Sequence, residues 1–101
     1  MYDTLIIGAG PAGMTAALYA ARSNLKVALL EAGIPGGQMN NTSDIENYPG
    51  YANISGPEWA EKMFEPLEAL GVEHLFGRAE NIVDQGSYKE NTTDDGLLQA
   101  K

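Results

Sequence analysis

Thr4-Leu5-Ile6-Ile7-Gly8-Ala9-Gly10-Pro11-Ala12-Gly13 is the stretch on which the reading of the fold turns. Its first part is a continuous apolar run with β-branched character that stops at a glycine, as a strand buried on both faces does. Strand 1 is therefore expected over residues 3–7. From Pro11 to Arg22 the residues are mostly Ala, Met and Leu. These are good helix formers, and Pro11 suits a first turn because its missing N–H would find no partner there anyway. The small residues Ala12, Ala16, Ala17, Ala20 and Ala21 recur on more than one face, which predicts an interior helix, close against a sheet and buried almost all round. Lys26-Val27-Ala28-Leu29-Leu30 is a second apolar run. Only a crossover can join two such strands in parallel, so residues 3–30 predict a βαβ unit.

Outward from this unit, residues 33–56 are rich in Gly, Asn and Pro and lack periodicity; a loop that long usually has a function. Ser55-Gly56-Pro57-Glu58 reads as a helix start, with Ser55 as N-cap, Pro57 in the first turn and Glu58 closing a capping box. Trp59, Met63, Leu67 and Leu70 then form one apolar stripe on an otherwise acidic, solvated helix that Gly71 ends, and Pro66 inside it predicts a kink. Residues 72–76 read as a third strand, and residues 79–84, 87–92 and 97–101 as short antiparallel strands separated by Gln85-Gly86 and Asp94-Asp95-Gly96. The last of these has no evident partner for its outer edge. The expected class is α/β: a Rossmann-like βαβ fold with a parallel sheet and a C-terminal antiparallel β-meander. It is expected to be incomplete, because a parallel sheet needs cover on both faces and only two helices are in hand. Exposed apolar surface should result.

The 101 residues amount to one small domain. Six Lys and Arg against 14 Asp and Glu leave a net charge of −8, which disfavours nucleic acid and anionic membrane surfaces, since phosphate partners need clustered positive charge. The imbalance is uneven. Residues 58–101 hold four bases and ten acids, while residues 1–57 hold Arg22 and Lys26 against four acids and are the less hostile place for an anion. No apolar run approaches the ~18 residues of a membrane span. The absence of Cys excludes a disulfide, a thiolate metal site and a dithiol centre within these residues. Met1-Tyr2-Asp3 leads into the first strand with no basic or long apolar leader, so a cytoplasmic protein is expected.

Gly8-Ala9-Gly10-Pro11-Ala12-Gly13 fits G-x-G-x-x-G in the context the motif needs, after a strand and opening a helix. The first glycine permits the tight turn, the second lets a pyrophosphate approach the backbone, and the third lets the helix approach the sheet. The anion would rest on N–H groups at a helix N-terminus, where dipole and unpaired donors both favour it. Glu31, the first residue after strand 2 and 18 positions beyond Gly13, can accept from both ribose hydroxyls and would repel a 2′-phosphate, so FAD or NAD suits this pattern better than NADP. A ligand-free turn and a solvated carboxylate are the plain alternatives for each feature alone; their joint occurrence favours a dinucleotide.

The motif does not separate FAD from NAD. Gly36-Gly37-Gln38-Met39 followed by Asp44-Ile45-Glu46-Asn47-Tyr48-Pro49-Gly50, together with residues 2–22, resembles the N-terminal FAD-binding part of bacterial low-molecular-weight thioredoxin reductases, a likeness that runs from residue 2 to residue 85. The resemblance implies a longer parent, a homodimer, in which an NADPH domain with a Cys-x-x-Cys pair interrupts the FAD domain and electrons pass from NADPH through flavin and disulfide to thioredoxin. It places Gly8, Gly10, Pro11, Ala12 and Gly13 at the FAD pyrophosphate and Glu31 at the adenosine ribose. Gly36, Gly37 and Gln38 would lie along the ribityl chain and the flavin's polar edge, Asn47 near the isoalloxazine, and the backbone around Ala79 against the adenine. Read without the family, Gln38 and Asn47 are ordinary turn formers. With no Cys and no second glycine motif, the expectation is a truncated piece: residues 1–101 as a partial FAD-binding domain, the NADPH domain absent, no catalytic residue and no metal ligand of its own. Two rivals stand beside it. One is a fragment of a ferredoxin or flavodoxin NADP reductase, against which the Glu46-Asn47-Tyr48-Pro49-Gly50 segment argues; the other is a non-catalytic FAD- or NAD-binding module. His74 is expected to be structural and Trp59 to be core packing.

Overall fold

β1 (Thr4–Ile7) and β2 (Val27–Glu31) pair in parallel, Thr4 opposite Val27 and Ile7 opposite Leu30, and are joined through α1 (Pro11–Arg22). The structure is a computed structural model that describes residues 1–33, 36, 41, 45, 49, 50, 52–94 and 96–101. A second crossover through α2 (Gly56–Ala69) leads to β3 (Glu73–Phe76), parallel to β2 with Ala28 opposite Glu73, and the sheet order is β1-β2-β3. β4 (Ala79–Asp84), β5 (Lys89–Thr93) and β6 (Gly96–Ala100) form a separate antiparallel sheet in that order. This is the expected α/β arrangement. Its strand bounds differ slightly from the expectation, and the difference matters once: Glu31 is the last residue of β2 and so belongs to a fixed strand end.

Both helices are stopped by the chain itself. After α1, the Leu25 N–H donates to Ala20 O (3.3 Å) and the Asn24 N–H to Ala21 O (3.0 Å), with Asn24 at φ 63°. This is a Schellman turn in which Asn takes the left-handed position usually given to Gly. After α2, Val72 donates to Leu67 O and Gly71 to Glu68 O, both 3.1 Å, with Gly71 at φ 81°. Ser55 caps α2 as expected, accepting from the Glu58 N–H at 3.2 Å, but the Glu58 carboxylate takes the Ser55 hydroxyl at 2.9 Å where a capping box would take the Ser55 N–H. The helix continues through Pro66 to Ala69.

One core lies between the helices and one face of the parallel sheet. Met14 and Ala17 of α1, Trp59, Ala60 and Leu67 of α2, and Val27 and Leu29 of β2 are buried together, with Ile6, Met63 and Phe64 packed against them. His74 is partly buried between Phe64 and Phe76, ring centroids 5.0 and 5.1 Å away. The expectation of an interior α1 is corrected: Ala12, Thr15, Ala16 and Tyr19 are exposed, Tyr19 at 63%. Small residues on two faces permit close approach from two sides, but only the side toward the sheet and α2 is met by the described residues. The Leu70 end of the α2 stripe is likewise exposed.

Strand alternation turns Leu5, Ile7, Ala28 and Leu30 to the opposite face. There the meander supplies the cover that helices do not: Leu5 and Ile7 share a recess of about 310 Å³ with Ile82, Asn91 and Ala100, and Leu30 shares another with Thr93 and Leu98. Cover is partial. Ile7, Phe76, Ile82, Val83 and Leu97 remain exposed, as the shortage of covering elements predicts. The outer edge of β6, expected to lack a partner, has one: the Tyr2 N–H donates to Gln99 O and the Lys101 N–H to Tyr2 O, both 3.0 Å, in a parallel bridge. That contact joins residues almost the whole chain apart, so no local pattern announces it.

Two expected outcomes follow from these contacts. The Tyr2 hydroxyl donates to Glu73 Oε2, and that bond, then burial and the Glu73 charge, push the phenol up to about 12 from 10.0. A phenol donates only while protonated, so its contribution is complete below pH 10 and is lost as pH rises through about 12. Alkaline difference spectroscopy should resolve this late step among the five tyrosines, and Tyr2→Phe should remove it. At Gly13 a Cβ would lie 1.9 Å from Gly8 O. Gly13→Ala should therefore destabilise by about 2 kcal/mol or more in chemical denaturation, overriding the ~1 kcal/mol that helix propensity favours. A stabilised variant would show that α1 does not approach β1 so closely.

Candidate functional site

The parallel strands β1, β2 and β3 all end at the same side of the sheet, and the loops leaving their C-terminal ends meet there, in the place where open α/β sheets bind ligands. Gly8 leaves β1 with its N–H donating to Leu30 O at 2.7 Å and turns the chain at φ 102°, a left-handed conformation that favours glycine. Gly10 is different. Its φ of −81° suits any residue, and a Cβ built on it would meet no atom of the described residues within 4 Å. Neither backbone nor packing requires a glycine at Gly10, whereas the approach of a bulky group from outside would. The three glycines thus answer to three constraints: a turn, an open approach and a close packing at Gly13.

Gly10 is the N-cap of α1, yet among the described residues no side chain caps the helix, and no acidic residue occupies its first turn. The Met14 N–H bonds to Gly10 O (3.0 Å); Pro11 has no N–H, and the N–H groups of Ala12 and Gly13 lie in the first turn, where an α-helix supplies no intrahelical acceptor. Their donors and the positive end of the helix dipole make this terminus receptive to an anion.

Glu31 stands beside this loop. Its Oε1 accepts from the Ala9 N–H and its Oε2 from the Gly33 N–H, both at 2.8 Å. From the other side, the Gly36 N–H donates to Ala9 O at 2.6 Å, and Gly36 is buried at φ 111°. The fully buried Ala9 peptide is therefore held at both its N–H and its C=O. A carboxylate has about four acceptor sites, so Glu31 retains capacity for hydroxyl donors.

The third strand end completes the crevice. The Gly77 N–H donates to Glu31 O at 3.1 Å and the Arg78 N–H to Asp94 Oδ1 at 3.0 Å. A recess of about 260 Å³ lies there, lined by Ala32, Phe76, Gly77, Arg78 and Asp94. Ala79, the first residue of β4, follows directly after Arg78 but does not line the recess. The structure thus brings Gly8, Gly10, Pro11, Ala12, Gly13, Glu31 and Gly36 to one place and puts Ala79 next to it. Gly37, Gln38 and Asn47 lie outside the described residues. Ala32, Gly77 and Arg78 were not singled out in the sequence; the signal available for Gly77 was a glycine directly after strand 3, at the level of Gly8 after strand 1. The larger recess of about 310 Å³ beside β1 is lined by Leu5, Ile7 and meander residues and by none of the glycine-loop residues. Among the described residues no group of three or more His, Cys, Asp or Glu could hold a metal ion, and no helix is long and apolar enough to cross a membrane.

Comparison with known proteins gives one consistent result. The chain is 54% identical over 89 residues to a thioredoxin reductase of Bacillus subtilis, an alignment covering 88% of this chain and 28% of that protein. The crystal structure of thioredoxin reductase from Streptococcus pyogenes MGAS5005 superposes with a TM-score of 0.98 at 66% identity, over 100% of this chain and 33% of the other. That of Lactococcus lactis thioredoxin reductase does so with a TM-score of 0.97 at 59% identity and the same coverage. The chain spans about a third of the length of these relatives. Residues 2–100 match the family described as pyridine nucleotide-disulphide oxidoreductase, and the chain belongs to that family.

Proposed function

We propose that this chain is the part of a thioredoxin reductase that binds FAD, holding the cofactor by its adenosine diphosphate half. Residues 1–101 act as a partial FAD-binding domain, with NADPH handled by sequence that these residues do not include. The observation that carries the reading is Gly10: a glycine that neither its backbone nor its neighbours require, at the uncapped mouth of α1, with a carboxylate-held loop beside it. A side chain there would fill the cradle that a pyrophosphate needs, so the residues present fit the cofactor.

Each group has a definite task. The N–H groups of the α1 first turn, with Gly10, Pro11, Ala12 and Gly13 around them, take the pyrophosphate, and Gly8 makes the turn that presents them. Glu31 accepts from the adenosine ribose, and the recess at Ala32, Gly77 and Arg78, continuing to Ala79, takes the adenine. By the family resemblance, Gly36, Gly37 and Gln38 serve the ribityl chain and flavin edge, and Asn47 the ring. FAD, when bound, supplies reversible two-electron transfer between nicotinamide and disulfide. This chain contributes binding and orientation. With no cysteine it holds no dithiol, so NADPH, a Cys pair and the acceptor thioredoxin belong to the whole enzyme, as do its dimeric state and cytoplasmic location.

FAD should stabilise the chain saturably in thermal unfolding, because a ligand that binds only the folded state shifts the equilibrium toward it, and NAD should do so less. The chain alone should show no NADPH-dependent reduction of thioredoxin. Gly10→Ala should cost only about 1 kcal/mol in the absence of ligand, the difference between Gly and Ala at an N-cap, yet weaken FAD at least about tenfold by crowding the diphosphate. Unchanged FAD affinity in this variant, or NAD binding more tightly than FAD, would remove the basis for the reading.

A further inference from the structure

Both oxygens of the Glu31 carboxylate accept hydrogen bonds from the protein's own main chain, and one of the groups they hold is in the glycine loop. Ala9 is fully buried, so its N–H has no access to water and would be an orphaned donor without Glu31 Oε1 at 2.8 Å. The second oxygen holds Gly33 at 2.8 Å, the Gly36 N–H donates to Ala9 O, and the Glu31 main chain takes Gly77. One residue thus ties together the loops after all three parallel strands. We propose that Glu31 is a positioning residue for the diphosphate cradle: it fixes the Ala9 peptide, and through it Gly10 and the first turn of α1, independently of any bond to a sugar. The proposal rests on the reading of this crevice as a dinucleotide site and extends it.

The chemistry of the side chain makes the role separable from ribose recognition. Both oxygens of a carboxylate accept, so Glu31 satisfies two N–H donors at once. Glutamine has one accepting oxygen, and its NH₂ would face the second N–H donor to donor. Glu31→Gln therefore releases either Ala9 or Gly33. Aspartate keeps the charge but is one methylene shorter and cannot span the two amides from the same strand end. A residue that influenced the diphosphate through charge alone would act in the opposite sense, because removing a negative charge beside an anion tightens its binding.

Calorimetric titration with ADP and with 2′,3′-dideoxy-ADP, which lacks the ribose hydroxyls, tests this. For the positioning role, Glu31→Gln and Glu31→Asp each weaken dideoxy-ADP about tenfold, the effect of losing one charge-assisted hydrogen bond, and weaken ADP at least as much. If dideoxy-ADP binds Glu31→Gln as tightly as the unaltered chain, or more tightly, Glu31 serves the sugar only and the proposal is overturned. A second measurement needs no variant. In the nucleotide-free chain the Ala9 amide should be strongly protected from hydrogen exchange, comparably to the β2 amides; exchange as fast as at the exposed Gly86 would also overturn it. If the unaltered chain binds neither probe, the dinucleotide reading fails, and Ala9 exchange still decides whether the clamp exists.

Discussion

The close contact of α1 with β1 is the constraint from which the rest of this architecture follows. A strand carbonyl at Gly8 and a helix backbone at Gly13 come near enough that a single added carbon would sit 1.9 Å from the oxygen. Such proximity sets the tilt of α1 over the sheet. The tilt buries Met14 and Ala17 against β2 and α2 and aims the first helical turn at the strand ends. The packing contact and the first-turn amides therefore meet at the same, N-terminal end of α1. A substitution that relaxed the packing would also shift those amides.

How an acidic protein would receive the diphosphate proposed for it is an electrostatic question that magnitudes resolve. The net charge is −8, but ten of the 14 acids lie in residues 58–101, mostly along exposed surfaces of α2 and the meander. At about 15 Å in water a pair of unit charges interacts by only ~0.3 kcal/mol before screening, and a Debye length of ~8 Å reduces this further. Direct N–H donors and a helix terminus each contribute about 0.5–1.5 kcal/mol at contact. Local geometry outweighs global charge. The carboxylates described at the crevice are also partly neutralised in effect, since both oxygens of Glu31 and Oδ1 of Asp94 accept backbone hydrogen bonds.

How much could be read in advance divides along the same line between local and distant contacts. The bounds of α1, the Ser55 cap, the Gly71 stop and the two hairpin turns depend on residues a few positions apart, and the sequence shows them directly. The turn at Gly8 and the close approach at Gly13 were legible because a motif compresses a tertiary contact into six adjacent residues. The exposed face of α1 was not, since small residues report what could approach and not what does. Nor was the pairing of Tyr2 with β6, which joins opposite ends of the chain, or the recess at Gly77 and Arg78, which exists only because β3 aligns beside β2.

Preorganisation connects these observations. A loop of glycines is entropically costly to order, since glycine has more backbone freedom to lose than any other residue. In this chain the loop is ordered by its own hydrogen bonds: Ala9 is bonded at both its N–H and its C=O, Gly8 continues the β1–β2 ladder to Leu30, and Gly77 anchors the third loop to Glu31. Amides fixed in this way would spare the proposed diphosphate the cost of ordering them. The meander has a corresponding task on the far face. By covering Ala28 and Leu30 it keeps β2 buried on both sides, and a strand so held delivers Glu31 to a fixed point, from which the loops take their positions.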